Sequence, residues 1–180
     1  HSAGFHNAEA KGIWKEYTES YYQMDTYYRL FHLSFQKSLE TSNILLDDLF
    51  KHVVDKVEGL YTHWFLGELG NNWSDVCADE LATYGKVLEV PQQEEFYRSR
   101  IKTSDTKVFV IISDAMRYEV AATMADQLQR ETQSKVSINS MQSIFPSITK
   151  FGMAALLPHK ELTVEVRNDV LTVLADGQST

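Results

Sequence analysis

Two short stretches hold the residues whose types and spacing suit chemistry. In residues 107–119, Lys-Val-Phe-Val-Ile-Ile-Ser-Asp-Ala-Met-Arg-Tyr-Glu, five apolar residues stop abruptly at Ser113 and Asp114. Four of those five are β-branched, so residues 108–112 are expected to form a strand buried on both faces. Asp114 then stands at the carboxyl end of that strand, where open α/β sheets place their ligands. The same Asp114, or Ser113, can instead cap a following helix. The second stretch, residues 145–158, reads Phe-Pro-Ser-Ile-Thr-Lys-Phe-Gly-Met-Ala-Ala-Leu-Leu-Pro. Its Met, Ala and Leu residues predict a short helix stopped by Pro158, with Thr149 at or near the N-terminus. Free backbone N–H groups and the helix dipole favour an anion there.

These residues need elements to carry them. After Asp114, Met116, Val120, Met124 and Leu128 recur every fourth residue and predict a helix that begins at once. Residues 135–140 alternate as a half-exposed strand does. Leu162, Val164 and Val166, then Val170, Thr172 and Leu174, predict a hairpin around Asn168-Asp169, and Asp176-Gly177 makes a further turn. Upstream, Trp14, Tyr17, Tyr21, Met24, Tyr28, Phe31, Phe35 and Leu39 lie three or four apart. They predict one long helix over residues 8–40 with an aromatic face. Few Lys or Arg interleave them, so that face reads as core rather than as a base-stacking platform. A turn at residues 41–43 precedes a second helix over residues 44–69, which Gly67, Gly70 and Asn71-Asn72 should end. A third, short helix runs to Tyr84 and stops at Gly85. Pro91 suits a short helix start anchored by Phe96 and Ile101. His32, His52 and His63 have no ligand spacing and read as ordinary helix residues. The division expected is a helical segment over residues 1–90, a linker over 91–106 and an α/β domain from 107 to 180.

Composition narrows the function classes. Hydrophobic content of 43% with 12% aromatics is enough for a packed core. A net charge of -8 argues against a dominant phosphate-tracking surface. The single cysteine, Cys77, excludes an internal disulfide and a Cys-rich zinc site. No stretch has the roughly 18 apolar residues of a membrane span, and residues 1–20 lack the apolar core of a signal peptide. A cytoplasmic location without membrane contact is the expectation. The sequence starts at His1 rather than Met, and a piece of a longer chain is expected.

Read together, the Ser113-Asp114-Ala115-Met116-Arg117-Tyr118-Glu119 motif and the 145–158 motif resemble the PglZ family, the phosphatase-like component of BREX phage-defence systems. That family is in turn similar to the alkaline phosphatase superfamily. The resemblance implies an N-terminal helical segment followed by the first part of an alkaline-phosphatase-like α/β sheet domain. It implies a metal-dependent phosphatase or phosphodiesterase, with Asp114 as a metal ligand and a hydroxyl nucleophile at the helix start. Superfamily sulfatases carry the nucleophile five positions before an Ala-Ala-Leu-Leu run. Counting back from Ala154 gives Thr149, which is chosen over Ser147 as catalytic residue and second metal contact. Divalent metals would activate the hydroxyl and hold the phosphoryl oxygens. Zn²⁺ is the superfamily expectation, with Mn²⁺ or Mg²⁺ as alternatives. Arg117 and Lys150 are candidate substrate-binding cations, each with the alternative of a surface ion pair. The resemblance also implies other BREX proteins as partners, and a nucleic-acid or nucleotide phosphate among the candidate substrates. The superfamily's later Asp and His ligands have no clear counterpart after Leu162, and His159 reads as structural. The 180 residues alone are therefore expected to be inactive.

The alternative function is a non-catalytic interaction module of the defence complex. Aromatics off the main stripe, such as Tyr22 and Tyr27, would serve it if exposed. A phosphoaspartate phosphatase of the haloacid dehalogenase type fails, because it needs a second acid two residues after the first and position 116 is Met.

Overall fold

A computed structural model of the chain describes residues 4–41 and 47–179. By contact they form two compact units. One joins His1–Asp79 to Arg117–Ile138, and the other joins Glu80–Met116 to Asn139–Thr180. The architecture is a helical region followed by a short, open β-sheet with its own packed helix. Of the turn expected at residues 41–43, Thr41 is instead the last residue of a helix; positions 42 and 43, and the helix start expected at Ile44, lie outside the described residues.

In the first unit, α1 (Ala10–Glu16) passes through a π-helical stretch, Tyr17–Tyr21, into α2 (Tyr22–Thr41). This is the single helical run that the aromatic spacing predicts. The aromatic face is indeed core: Tyr17, Tyr21, Met24 and Tyr28 pack against the buried Ile13, Tyr61, Phe65 and Leu69. Tyr28 lies flat on Tyr61, with ring centroids 3.7 Å apart. Tyr22 rests its ring against Tyr118, whereas Tyr27 is exposed.

The second helical run differs from expectation. α3 (Asp47–Gly59) continues through a π-helical Leu60–Glu68 into α4 (Leu69–Tyr84) without a break at Gly67 to Asn72. Each glycine costs such a helix only about 1 kcal/mol. Tertiary contacts hold the helix together: Leu69 is buried, Trp73 and Val76 pack on the core, and Asn72 bonds Asn7 twice. Its Oδ1 accepts the Asn7 N–H at 3.1 Å, and its Nδ2 donates to the Asn7 carbonyl at 2.9 Å.

α5 (Tyr118–Glu131) starts four residues after Asp114, not directly after it. Ala115 has φ of 54° and Arg117 is extended, which holds off the helix until Tyr118. Two ion pairs bind the start of α5 to α2. Arg29 donates to both oxygens of Glu119 through Nε at 3.0 Å and reaches Oε2 through Nη2 at 2.9 Å. Arg117 Nη2 donates to Asp25 Oδ1 at 2.8 Å. Asp25 also accepts from the hydroxyls of Tyr61 and Tyr17, the latter at 2.7 Å. Burial, then the bond to Asp25, pushes both phenols above the ordinary tyrosine range.

In the second unit, Gly85, with φ of 67°, ends α4. A short helical segment follows Pro91 as expected: a 3₁₀ turn, Gln93–Glu95, then a π-helical Tyr97–Ile101. The apolar run at residues 108–112 corrects the sequence reading. It is irregular and exposed, with Ile111 94% exposed, rather than a buried strand. A strand buried on both faces needs a partner on each edge for its N–H and C=O groups, and none flanks this run among the described residues. Residues 135–140 likewise make no ladder, and the pairing nearby is one parallel bridge, Gln92 to Gln142.

α6 (Thr149–Leu156) then packs on the sheet, with Phe151 and Ala154 against Val173, Leu162 and Ile144. The hairpin forms as predicted, with β1 (Leu162–Arg167) antiparallel to β2 (Val170–Ala175) and Arg167 opposite Val170. Asn168 and Asp169 have φ of 50° and 60°. These are the values a two-residue turn of type I′ demands. Asp176 and Gly177 turn the chain into β3 (Gln178–Ser179), giving the open order β1-β2-β3. The Asp176 carboxylate accepts the N–H groups of Glu161 and Lys160, each at 2.9 Å, which holds it below the usual carboxylate range.

Arg29→Met should destabilise the chain by about 2–4 kcal/mol, because it leaves the Glu119 carboxylate buried without its cation. Adding Glu119→Leu should recover part of that loss. Urea unfolding of the single and double variants checks both, and a single variant as stable as the parent contradicts the pairing. A second expectation concerns alkali. Tyr21, through burial and its bond to Glu16, is pushed up to about 12, and Tyr17 and Tyr61 are raised too. Above about pH 10 the unfolded phenols lose protons that the folded ones keep, so stability falls as pH rises. Phenolate absorbance should therefore appear later in the folded chain than in urea.

Candidate functional site

The site begins with a turn and a helix start. Thr149 is the first residue of α6, and Ile148 is its N-cap, in extended conformation and with no side-chain cap bond. The first intrahelical bonds are made by the N–H groups of Phe151 and Gly152, both to the Ile148 carbonyl, at 3.1 and 3.0 Å. The N–H groups of Thr149 and Lys150 stand ahead of them, in the position where a helix start attracts anions. Asp114 sits in the turn made by Ala115, whose N–H donates to Asp114 Oδ1 at 3.0 Å. That turn aims the carboxylate at α6. The Thr149 hydroxyl donates to Asp114 Oδ2 at 3.1 Å, with Oδ1 at 3.4 Å. Both residues are exposed, so the hydroxyl is open to a substrate from solvent.

Neither capping alternative describes this arrangement. α5 has Arg117, not Ser113 or Asp114, at its N-cap, and the Thr149 hydroxyl serves Asp114 rather than its own helix. Ser147 makes no side-chain hydrogen bond among the described residues.

The chemistry open to the pair follows from the donor set. A lone carboxylate is too weak a base to take the proton of an alcohol outright. The bond to Asp114 therefore orients the Thr149 hydroxyl without deprotonating it. The two side chains present hard oxygen donors on adjoining positions, which suit a divalent metal. They fit two positions of a coordination sphere. Among the described residues no group of three or more His, Cys, Asp or Glu side chains converges to complete one.

The remaining expected residues go elsewhere. Lys150 Nζ donates to the Leu171 carbonyl of β2 at 2.6 Å. Arg117 belongs to the first unit, where Asp25 and the Tyr61 hydroxyl hold it; the Tyr61 bond is the main cause of its raised pKa. His159 turns Nδ1 to the Leu157 carbonyl at 2.7 Å. His32 pairs with Glu58 at 3.0 Å. Sequence reading missed two features: the left-handed Ala115 that aims Asp114, and Asp25 as the partner of Arg117. No local signal marks a left-handed alanine. A lone Asp within an aromatic stripe was the available hint for the second.

Comparison with known proteins gives the context. Residues 95–180 match the family model described as the BREX system PglZ alkaline phosphatase-like domain. Over its whole length the chain is 36% identical to alkaline phosphatase-like protein BrxZ of Escherichia coli O9:H4 (strain HS), covering 21% of that protein. It is also 36% identical to alkaline phosphatase-like protein PglZ of Bacillus cereus (strain H3081.97), over 88% of the chain and 18% of that protein. The chain thus spans about a fifth of the length of the curated relatives it matches. No solved structure matches it.

Because Asp114 is exposed and, among the described residues, bonds its own turn and Thr149, Asp114→Ala should change stability by no more than about 1 kcal/mol. Thermal unfolding checks this. A large loss would make Asp114 a fold determinant rather than a free ligand.

Proposed function

The chain belongs to the PglZ family of BREX alkaline-phosphatase-like proteins, and on that premise we propose that Thr149 and Asp114 are part of the active site of a metal-dependent phosphoric ester hydrolase. The observation that carries the reading is the 3.1 Å bond between an exposed hydroxyl at a helix start and an exposed carboxylate. These residues are 35 positions apart in the chain, and neither is needed to close the core.

In this reading Thr149 is the nucleophile and Asp114 a metal ligand. The start of α6 receives the phosphoryl oxygens on the N–H groups of Thr149 and Lys150. Asp114 accepts the Thr149 hydrogen bond, which fixes the hydroxyl proton on the carboxylate side and leaves the oxygen's lone pairs for an approaching phosphorus. Lys150 keeps two ammonium N–H groups beyond its bond to Leu171, and it draws the anionic ester towards the helix start. Arg117 is given no substrate role, since Asp25 holds its guanidinium. A bound divalent cation supplies the positive charge that makes a Thr hydroxyl reactive at neutral pH. Zn²⁺ is the ion the superfamily suggests, and Mn²⁺ or Mg²⁺ would suit the two oxygens as well. The other ligands would come from parts of the parent protein that this sequence does not include. A nucleic-acid or nucleotide phosphate is the proposed substrate class, and other BREX proteins are the proposed partners. No helix among the described residues is long and apolar enough to cross a membrane.

The second reading, an interaction module, draws on exposed Tyr27 and its neighbours Leu30 and Leu33 on α2. One experiment separates the two. In the full-length protein, Thr149→Ala should lower metal-dependent hydrolysis of a phosphodiester by about a thousandfold or more, some 4 kcal/mol in the barrier. Unfolding should change by about 1 kcal/mol at most. Ser147→Ala should keep most activity. A folded Thr149→Ala protein turning over at the parental rate defeats the assignment. Insensitivity of both variants to chelator as well would leave the interaction module in the lead.

A further inference from the structure

A hydroxyl on a helix start attacks efficiently only if the chain leading into that helix is held still. Residues 145–148 lead into α6. Phe145 and Ile148 are each about half exposed, so packing holds little of this segment. It has one turn of its own, in which the Ile148 N–H donates to the Pro146 carbonyl at 2.8 Å. Its placement is therefore set at its two ends, and one side chain reaches both. Gln93 Oε1 accepts the Ile144 N–H at 3.2 Å, just before the segment. Gln93 Nε2 donates to the Gly152 carbonyl at 3.3 Å, at the end of the first turn of α6. A backbone N–H only donates and a carbonyl only accepts, so the two partners together fix which way the amide points.

Gln93 is itself tied down. Its own N–H donates to the Gln142 carbonyl at 2.8 Å, and the Gln142 N–H donates to the Pro91 carbonyl at 2.7 Å. The residue facing its amide on α6 is a glycine. A Cβ at Gly152 would meet Gln93 Nε2 at 3.3 Å, tighter than ordinary van der Waals contact, so a larger residue there displaces the amide. Glycine inside a helix is less favourable than alanine, and the close approach of Gln93 accounts for one here. We propose that Gln93 is a positioning residue for Thr149: its amide braces Ile144 to Gly152 and so holds the start of α6 in place against Asp114. This role rests on Thr149 as the nucleophile of the proposed hydrolase. Gln93 makes no hydrogen bond to Thr149 or Asp114 among the described residues, and it acts through the backbone on either side of them. A misplacement of reacting atoms by about 1 Å can cost roughly a hundredfold in rate, so a brace of this kind has a measurable effect on turnover.

The test has a kinetic arm and a structural arm. In the full-length protein, Gln93→Ala should lower kcat for metal-dependent hydrolysis of a phosphodiester by about tenfold or more, with KM within about twofold. Gly152→Ala should lower kcat in the same way while leaving the melting temperature unchanged or higher, because alanine favours the helix. A merely structural role would lower kcat and melting temperature together, and Gly152→Ala keeps the proposal falsifiable if Gln93→Ala fails to fold. In the Gln93→Ala background, Gly152→Ala should cost less than about a further twofold, since the amide it displaces is gone. In the 180-residue chain, Gln93→Ala should speed hydrogen exchange of the Ile144 amide by about tenfold. It should also lower the amide order parameters at residues 147–150 from about 0.85 towards 0.6. Parental kcat in Gln93→Ala overturns the proposal, as does a Gly152→Ala cost that is the same in both backgrounds. Unchanged Ile144 exchange overturns the brace while leaving the nucleophile standing. A Thr149→Ala protein at the parental rate overturns the nucleophile, and this role with it.

Discussion

A carboxylate withdrawn from water has to be answered by donors, and the first unit is arranged to answer two. Asp25 is 3% exposed and Glu119 1% exposed. Each faces an arginine from the other stretch of chain: Asp25 and Arg29 lie four apart on α2, while Arg117 and Glu119 lie two apart at the start of α5. The arrangement is reciprocal, with one acid and one base on each side. Sliding either stretch past the other would set like charges together and leave a buried carboxylate without a cation, a loss of several kcal/mol. The two pairs therefore define one alignment of α5 on α2. The tyrosines follow from the same demand. Tyr17 and Tyr61 give Asp25 the hydrogen bonds that one guanidinium does not, and their aromatic rings remain in the core.

The Thr149–Asp114 bond is of a different kind. It is exposed and neutral-to-charged, and such a bond contributes about 1 kcal/mol to stability. Its geometry is inherited from the elements that carry the two residues. α6 is anchored by Phe151 and Ala154 on Val173 of β2, and the hairpin beneath it is closed by a turn of favourable type at Asn168-Asp169. Asp114 is oriented by its own backbone, through the left-handed Ala115. A non-Gly residue in that region is uncommon and is often found where function constrains the backbone. The site thus has a rigid side, at α6, and a side set by a single turn, at Asp114.

The apolar run at residues 108–112 marks the limit of local pattern. Its β-branched residues have the composition of an interior strand, yet Phe109 and Ile111 are largely exposed. Side-chain type expresses a preference for burial between two layers. It does not supply the neighbouring strands, and parallel neighbours come from stretches distant in sequence. The hairpin at residues 162–175 forms because both of its strands and its turn are adjacent in the chain.

This contrast divides what the amino-acid sequence determined from what tertiary structure decided. Helical spacing of aromatics was enough to predict a run over residues 8–40, observed over 10–41, and to identify its aromatic face as core. The Asn-Asp turn was enough for the hairpin register, and the Met-Ala-Leu segment before Pro158 was enough to put Thr149 at the start of α6. Each of these depends on residues within a few positions of one another. The continuation of α3 into α4 through Gly67 and Gly70 depends on Asn7 and the core around Phe65. The delayed start of α5 depends on Ala115 and Arg117, and the commitment of Arg117 depends on Asp25, some 92 residues earlier. Only the folded chain decides these, because a side chain's partner across such a distance is chosen by burial and charge in three dimensions, which local periodicity does not encode.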